Sequence, residues 1–215
     1  MTADQRRLLL FLGLSLVAIA VAHVLDPWAY SALALPAAQN RDWGRLLRIV
    51  GFGGTWLVIA IALWLESRRR DRDQESAERL SEAAAAVLLG VIVAGIAGEL
   101  AKMLIRRERP GPTEGLSYHF RPFSERPFYT GGLGLPSTHA VVAFAGAAVI
   151  HRRFRGVGAV LLMLAAGCGL TRVFAQAHFL SDAVAGALGG WWIGAWIPRL
   201  RGRNRSRLQG EAVHK

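Results

Sequence analysis

A chain of 215 residues that is 53% hydrophobic, only 19% charged and has a mean hydropathy of +0.30 is too apolar for an ordinary soluble domain of its size. Its formal net charge of +11 invites a nucleic-acid reading, but most arginines sit in short clusters between apolar runs and in the C-terminal tail, as the flanks of membrane helices do. Composition therefore argues against nucleic acid as a partner, and a single cysteine, Cys168, excludes an intrachain disulfide.

Arg6 and Arg7 precede an apolar run at 8–25 that is long enough to cross a bilayer. Ala20-Val21-Ala22 has the look of a signal-peptide cleavage site, but the favoured reading is an uncleaved first helix ended by Asp26-Pro27. Trp43, Leu46, Leu47 and Val50 then recur at helical spacing opposite Arg41, Arg45 and Arg48, which predicts a short interfacial helix lying on membrane lipids. A second, shorter run covers 51–65 and is followed by the polar loop SRRRDRDQESAER. A third covers 83–105 and carries Glu99 and Lys102 three apart on one face, where the carboxylate most simply neutralises the amine.

Between 106 and 136 the composition turns to Arg, Pro, Gly and aromatics without a sustained period, so a long loop is expected. Phe120, Phe123, Phe128 and Tyr129 would anchor that loop at the interface or line a lipid entrance. A fourth run at 141–150, the basic turn HRRFR, a fifth run at 156–170 and a sixth at 179–197 follow, the last closed by Pro198 and a basic tail at about 198–215. Several runs fall below spanning length, so hydropathy alone allows a soluble helical bundle; charge placement decides otherwise. With the N-terminus inside, most of the basic clusters fall on one side, and the exceptions Lys102, Arg109 and Arg172 fall on the other. The expected fold is all-α: one domain over 1–215, a six-transmembrane-helix bundle with a short interfacial helix and a long outer loop.

Six alternating spans bring the end of the third helix, the start of the fourth, the end of the fifth and the start of the sixth to one membrane face. Every ionisable residue that apolar surroundings make expensive lies there. If the chain is helical after Ala177, His178 and Asp182 share a face four residues apart, so the carboxylate can hold one imidazole nitrogen and leave the other free. Taken singly, His178 could be a helix-end histidine, Lys102 and Arg109 snorkelling flanks, and Ser137 an N-cap.

Together the stretches KMLIRRERP (102–110), LPSTHA (135–140) and RVFAQAHFLSD (172–182) resemble, in order and spacing, the three signature motifs of the type 2 phosphatidic acid phosphatase family. Two positions depart from the pattern: Thr171 stands for serine before the arginine, and Thr138 stands for glycine between Ser137 and His139. The resemblance implies His178 as nucleophile, Asp182 as the residue orienting its imidazole, and His139 as general acid. It implies Lys102, Arg109, Ser137, Thr138 and Arg172 as the phosphate cradle, with neither metal nor cofactor. His23, His119, His151 and His214 match no motif.

The expected activity is that of a multi-pass lipid phosphatase in the plasma (inner) membrane, with its site facing the periplasm or outside. Its partner would be a lipid phosphate or diphosphate: undecaprenyl diphosphate, phosphatidylglycerophosphate, phosphatidic acid or a lipid A phosphate. The alternatives are a lipid phosphotransferase using the same phosphohistidine and a non-catalytic anion-binding membrane protein.

Overall fold

The computed structural model describes residues 2–70, 73–111 and 117–213. Among these the chain forms seven α-helices: α1 (Ala3–Ala32), α2 (Asp42–Ile49), α3 (Gly53–Arg69), α4 (Gln74–Ile105), α5 (Thr138–Arg153), α6 (Arg155–Phe174) and α7 (Leu180–Val213). A 3-10 turn covers Pro36–Asn40, and the described residues contain no strand, only isolated antiparallel bridges pairing Arg107 with Phe120 and Glu108 with Leu133. The middle of the long loop, 112–116, and the last two residues of the basic tail, 214–215, lie outside the described residues.

The bundle closes around α5, whose residues from Ala140 to Ile150 are buried except for half-buried Phe144. Small side chains make this possible, because they let neighbouring backbones come close where no hydrophobic force drives helices together. Gly186, Gly190 and Gly194 recur every four residues along α7, and a Cβ on each would lie 2.6, 2.2 and 2.3 Å from the carbonyl oxygens of Ser137, Val141 and Ala145, which recur with the same period on α5. On another side, fully buried Trp56 lies where a Cβ on Gly146 would sit, and its Nε1 donates to the Val50 carbonyl at 2.8 Å, at the break between α2 and α3.

The outside of the bundle is apolar. Leu10, Leu14, Val24 and Leu104 are 65%, 69%, 76% and 74% exposed, and many other large hydrophobic side chains join them. Apolar surface of that extent is stable against hydrocarbon and not against water. The chain is a multi-pass membrane protein.

By length and composition α1, α4 and α6 each suffice to cross a membrane, and α2 with α3 makes a fourth candidate, bent by 65° at its break. Among the described residues this measure does not reach the six spans expected, and it leaves that count unconfirmed. The 16-residue α5 is too short to qualify and is enclosed by its neighbours.

Several boundaries also differ from expectation. Pro27 does not end α1, which runs on to Ala32. Proline removes the donor that would serve the His23 carbonyl, and the Tyr118 hydroxyl stands 3.5 Å from that oxygen. Pro198 likewise lies inside the backbone helix of α7. Helix α4 begins within the stretch expected as loop: the Asp73 side chain caps it by accepting from Ser76 N–H at 3.1 Å, and Arg79 pairs with Glu75 one turn on. In α2 the apolar face divides, with Val50 turned inward and Leu47 set against Gly167 of α6, while Trp43 and Leu46 stay exposed.

The glycine stripe yields a matched pair of tests. Gly190→Ala drives a methyl group into the α5 backbone and should destabilise the protein by about 1–3 kcal/mol. Gly189→Ala meets nothing within 4 Å and should be neutral, or stabilising by up to about 1 kcal/mol through helix propensity. Thermal unfolding of the two variants in detergent micelles checks both signs.

Candidate functional site

The last turns of α4 and α6 and the first turns of α5 and α7 meet at one end of the bundle, beside loop residues 106–111 and 117–136. Helix α6 stops at Phe174, and Gln176 takes φ 51° in the connecting turn. The N–H groups of Ala177 and His178 then both donate to the Arg172 carbonyl, at 3.0 and 3.2 Å. Two residues of the third motif are thereby tied through the main chain. Asp182, in the first turn of α7, reaches back to accept the Phe179 N–H at 2.9 Å, the reciprocal half of a capping box. Its own carbonyl accepts the Ser137 N–H at 3.0 Å, joining the starts of α7 and α5.

His178 lies just ahead of α7 and not within it, yet the expected pairing forms: Nδ1 is 3.4 Å from Asp182 Oδ2, close enough for charge interaction without meeting the geometry of a full hydrogen bond. His178 is 2% exposed and Asp182 is fully buried. Burial pushes the imidazole pKa down to about 4; Asp182 opposes the shift, and the charges of Arg109 and Arg172 add to it. The ring is therefore neutral at ordinary pH, with a free lone pair on the nitrogen remote from Asp182.

Two of the cations expected around it, Arg109 and Arg172, lie within its electrostatic reach. Arg172 is 6% exposed, and its buried Nε has no partner. Arg109 is fixed by its main chain, whose N–H donates to the Gly132 carbonyl at 2.9 Å, and its Nε approaches the Leu133 carbonyl at 3.4 Å. His139, half-buried in the first turn of α5, lies in the field of Arg172, Arg109 and Arg48 and near His178. The Ser137 hydroxyl is buried without a partner and makes no cap hydrogen bond, so the bland reading of Ser137 as an ordinary N-cap does not hold.

Lys102 and Thr138 are drawn to a common acceptor. Glu99 Oε1 accepts from Lys102 Nζ at 3.0 Å and from the Thr138 hydroxyl at 2.7 Å. The side chain that replaces the family's glycine is thus turned toward Glu99. Among the described residues no three of His, Cys, Asp and Glu gather as a metal-binding group.

Sequence reasoning missed the residues that support this set. Arg107 is 4% exposed and donates through Nη2 to both Asp182 Oδ1 and Ser181 Oγ, the latter at 2.7 Å. A Cβ on Gly134 would lie 2.8 Å from Asp182 Oδ2, so only glycine leaves that carboxylate room. Arg106, 1% exposed with φ 59°, caps α4 and spends its guanidinium on the carbonyls of Arg121, Pro122, Glu125 and Pro127, holding the loop in shape. The available signal was three arginines within four positions, of which the motif uses one.

A helical membrane bundle that gathers two histidines, a buried carboxylate and fixed cations at one end defines a class of anion-handling membrane protein. More narrowly, the chain belongs to the PAP2 superfamily, whose family model matches residues 83–206. It is 30% identical over 194 residues to a lipid A 1-phosphatase of Rhizobium etli, covering 84% of this chain and 80% of that protein. A lipid A 1-phosphatase of Rhizobium johnstonii is 30% identical over 168 residues, covering 72% and 66%. The fold is similar to the crystal structure of the first transmembrane PAP2 type phosphatidylglycerolphosphate phosphatase from Bacillus subtilis, with a TM-score of 0.62 at 16% identity over 94% of this chain and 98% of that one. Membership in a family of membrane lipid phosphatases follows from the first two of these comparisons.

The buried histidine gives stability a defined pH dependence. Unfolded, His178 titrates near 6.5; folded, near 4. Between these values the unfolded chain holds a proton that the folded chain does not, so stability falls as pH is lowered through that window. His178→Asn should remove this contribution. Melting temperatures from pH 7 to pH 4 should therefore decline less steeply for the variant than for the parent protein.

Proposed function

We propose that the chain hydrolyses a lipid phosphate or diphosphate through a phosphohistidine on His178, at the outer face of the plasma (inner) membrane. The observation that carries the reading is a neutral, buried imidazole set between the Asp182 carboxylate and the arginines 109 and 172. A histidine in that setting is poised to attack a phosphorus whose equatorial oxygens need fixed positive charge. Because both curated relatives quoted above are named for the 1-phosphate of lipid A, that headgroup is the first substrate to test. Undecaprenyl diphosphate, phosphatidylglycerophosphate and phosphatidic acid are the comparison set.

In the proposed cycle the free nitrogen of His178 forms a bond to phosphorus while the bond from phosphorus to the lipid oxygen breaks. His139 gives its proton to that leaving oxygen. Water then attacks the phosphohistidine, His139 takes the water proton, and inorganic phosphate leaves with His178 restored. Asp182 stabilises the cationic imidazole formed in the first step. Lys102, Arg109 and Arg172 hold the phosphoryl oxygens, and the unpartnered Ser137 hydroxyl is a further donor. Thr138, whose hydroxyl serves Glu99, contributes its main-chain N–H at the start of α5, where the helix dipole favours an anion. In this scheme the three cations supply the positive charge that the phosphoryl oxygens need, and no metal ion is invoked.

Turnover and covalent labelling test this reading. Purified protein should release phosphate from lipid monophosphates and diphosphates in excess EDTA, with inhibition by vanadate, and Arg172→Ala should lower turnover on the order of a hundredfold. His178→Ala should abolish both activities. His139→Ala, given a diphosphate lipid, should show a burst followed by slow turnover with acid-labile label on His178, since a phosphate leaving group needs little protonation but the water still needs its base. Label on the His178→Ala protein would refute the nucleophile.

Orientation is tested separately. With Cys168 replaced, a cysteine at Ser124 in the loop should react with a membrane-impermeant reagent added to intact cells. A cysteine at Ser81 near the start of α4 should not, because Arg6, Arg7 and the arginines at 68–70 and 152–153 mark that end as cytoplasmic.

A further inference from the structure

Asp26 lies on α1, outside the 83–206 segment that carries the family match, and is 1% exposed. An ionised carboxylate buried to that degree is costly unless donors surround it. Here they do. Oδ1 accepts the Ser181 N–H at 2.8 Å, and Oδ2 accepts the Ser181 hydroxyl at 2.6 Å and the Tyr118 hydroxyl at 3.1 Å, with His23 Nδ1 at 3.3 Å. Burial and the Asp26 charge push the Tyr118 phenol up to about 12, so it remains a donor.

The proton inventory gives this network a direction. A serine hydroxyl has one hydrogen, and against a carboxylate that hydrogen must be donated. Ser181 Oγ therefore faces Arg107 Nη2, 2.7 Å away, as an acceptor. Nη2 carries two hydrogens; the second goes to Asp182 Oδ1. The guanidinium also lies over the rings of Tyr118 and Phe179, at 5.4 and 5.2 Å. One chain of hydrogen bonds thus runs from α1 to the carboxylate beside His178.

We propose that Asp26 is a positioning residue for phosphoryl transfer: by committing the Ser181 proton it pins Arg107, and through Arg107 it fixes Asp182 against His178. This rests on the phosphatase reading given above. With Asp26 neutralised, the Ser181 hydroxyl is free to turn its proton elsewhere, Arg107 loses an oriented acceptor, and Asp182 Oδ1 loses its fixed partner. Lys102, Arg109 and Arg172 take no part in the chain, so ground-state binding of phosphate is left alone.

The test compares Asp26→Asn, Ser181→Ala and the double variant in detergent-purified full-length protein. Each single change should lower kcat about tenfold with KM within about twofold, and the double should fall no further than the worse single, as expected of residues acting in series. Thermal-shift titration should show vanadate, which bonds to His178, weakened by a similar factor, while inorganic phosphate, held by the cations, binds as before. Additive losses, a rise in KM with kcat preserved, or equal weakening of vanadate and phosphate would each overturn the proposal. If Asp26→Asn does not fold, Ser181→Ala decides, because it breaks the relay and leaves Asp26 its other donors; full turnover and vanadate affinity there refute the idea. A parent protein that neither turns over lipid phosphates nor binds vanadate overturns the phosphatase reading, and this inference with it.

Discussion

A carboxylate with no solvent exposure governs this structure. Asp182 cannot be buried as an anion without compensation, and the compensating groups come from two distant parts of the chain: Arg107 from the segment after α4, and the Phe179 N–H with neighbouring His178 from the turn before α7. Losing one partner of such a pair leaves an unsatisfied buried charge, at a cost of about 3–5 kcal/mol. The surrounding geometry serves the same end. Gly134 leaves space for the carboxylate, and the glycine stripe on α7 lets that helix approach α5 until the Asp182 carbonyl meets the Ser137 N–H.

Helix polarity reinforces the arrangement. The N-termini of α5 and α7 point partial positive charge at the site, alongside Ser137, His139 and Asp182. The C-termini of α4 and α6 would bring partial negative charge, and each carries a cation in its last turn, Lys102 and Arg172. All four helix ends thus present positive charge to the site, although two of the four helices arrive with the wrong end.

The candidate site residues were legible in the sequence because their chemistry is local: charge in an apolar setting, histidine and aspartate four apart, short motifs in order. The residues that support them were not, because their partners are distant. Arg107 meets Asp182 across 75 positions, and Asp26 meets Ser181 across 155. Asp26-Pro27 is a sound local signal for the end of a helix and was wrong here, since Tyr118 from the loop stands by the carbonyl that proline leaves unserved. The spacing of Gly186, Gly190 and Gly194 was there to be read, but its meaning depends on which helix lies opposite. Counting spans by length and apolarity is uninformative for α5, whose 16 residues are walled in by their neighbours.

The shared grip of Glu99 on Lys102 and Thr138 bears on how such a protein tells one headgroup from another. A bilayer is crowded with phosphodiester lipids, each offering a single negative charge. A ligand that engages Lys102 shares its charge with Glu99, and a phosphodiester brings no more charge to that competition than the carboxylate already supplies. A terminal phosphomonoester, with about −1.5 to −2 charges at pH 7, brings more. On the phosphatase reading proposed above, the carboxylate would act as a charge threshold, set above the bulk lipids of the membrane and below the scarce ones that end in phosphate.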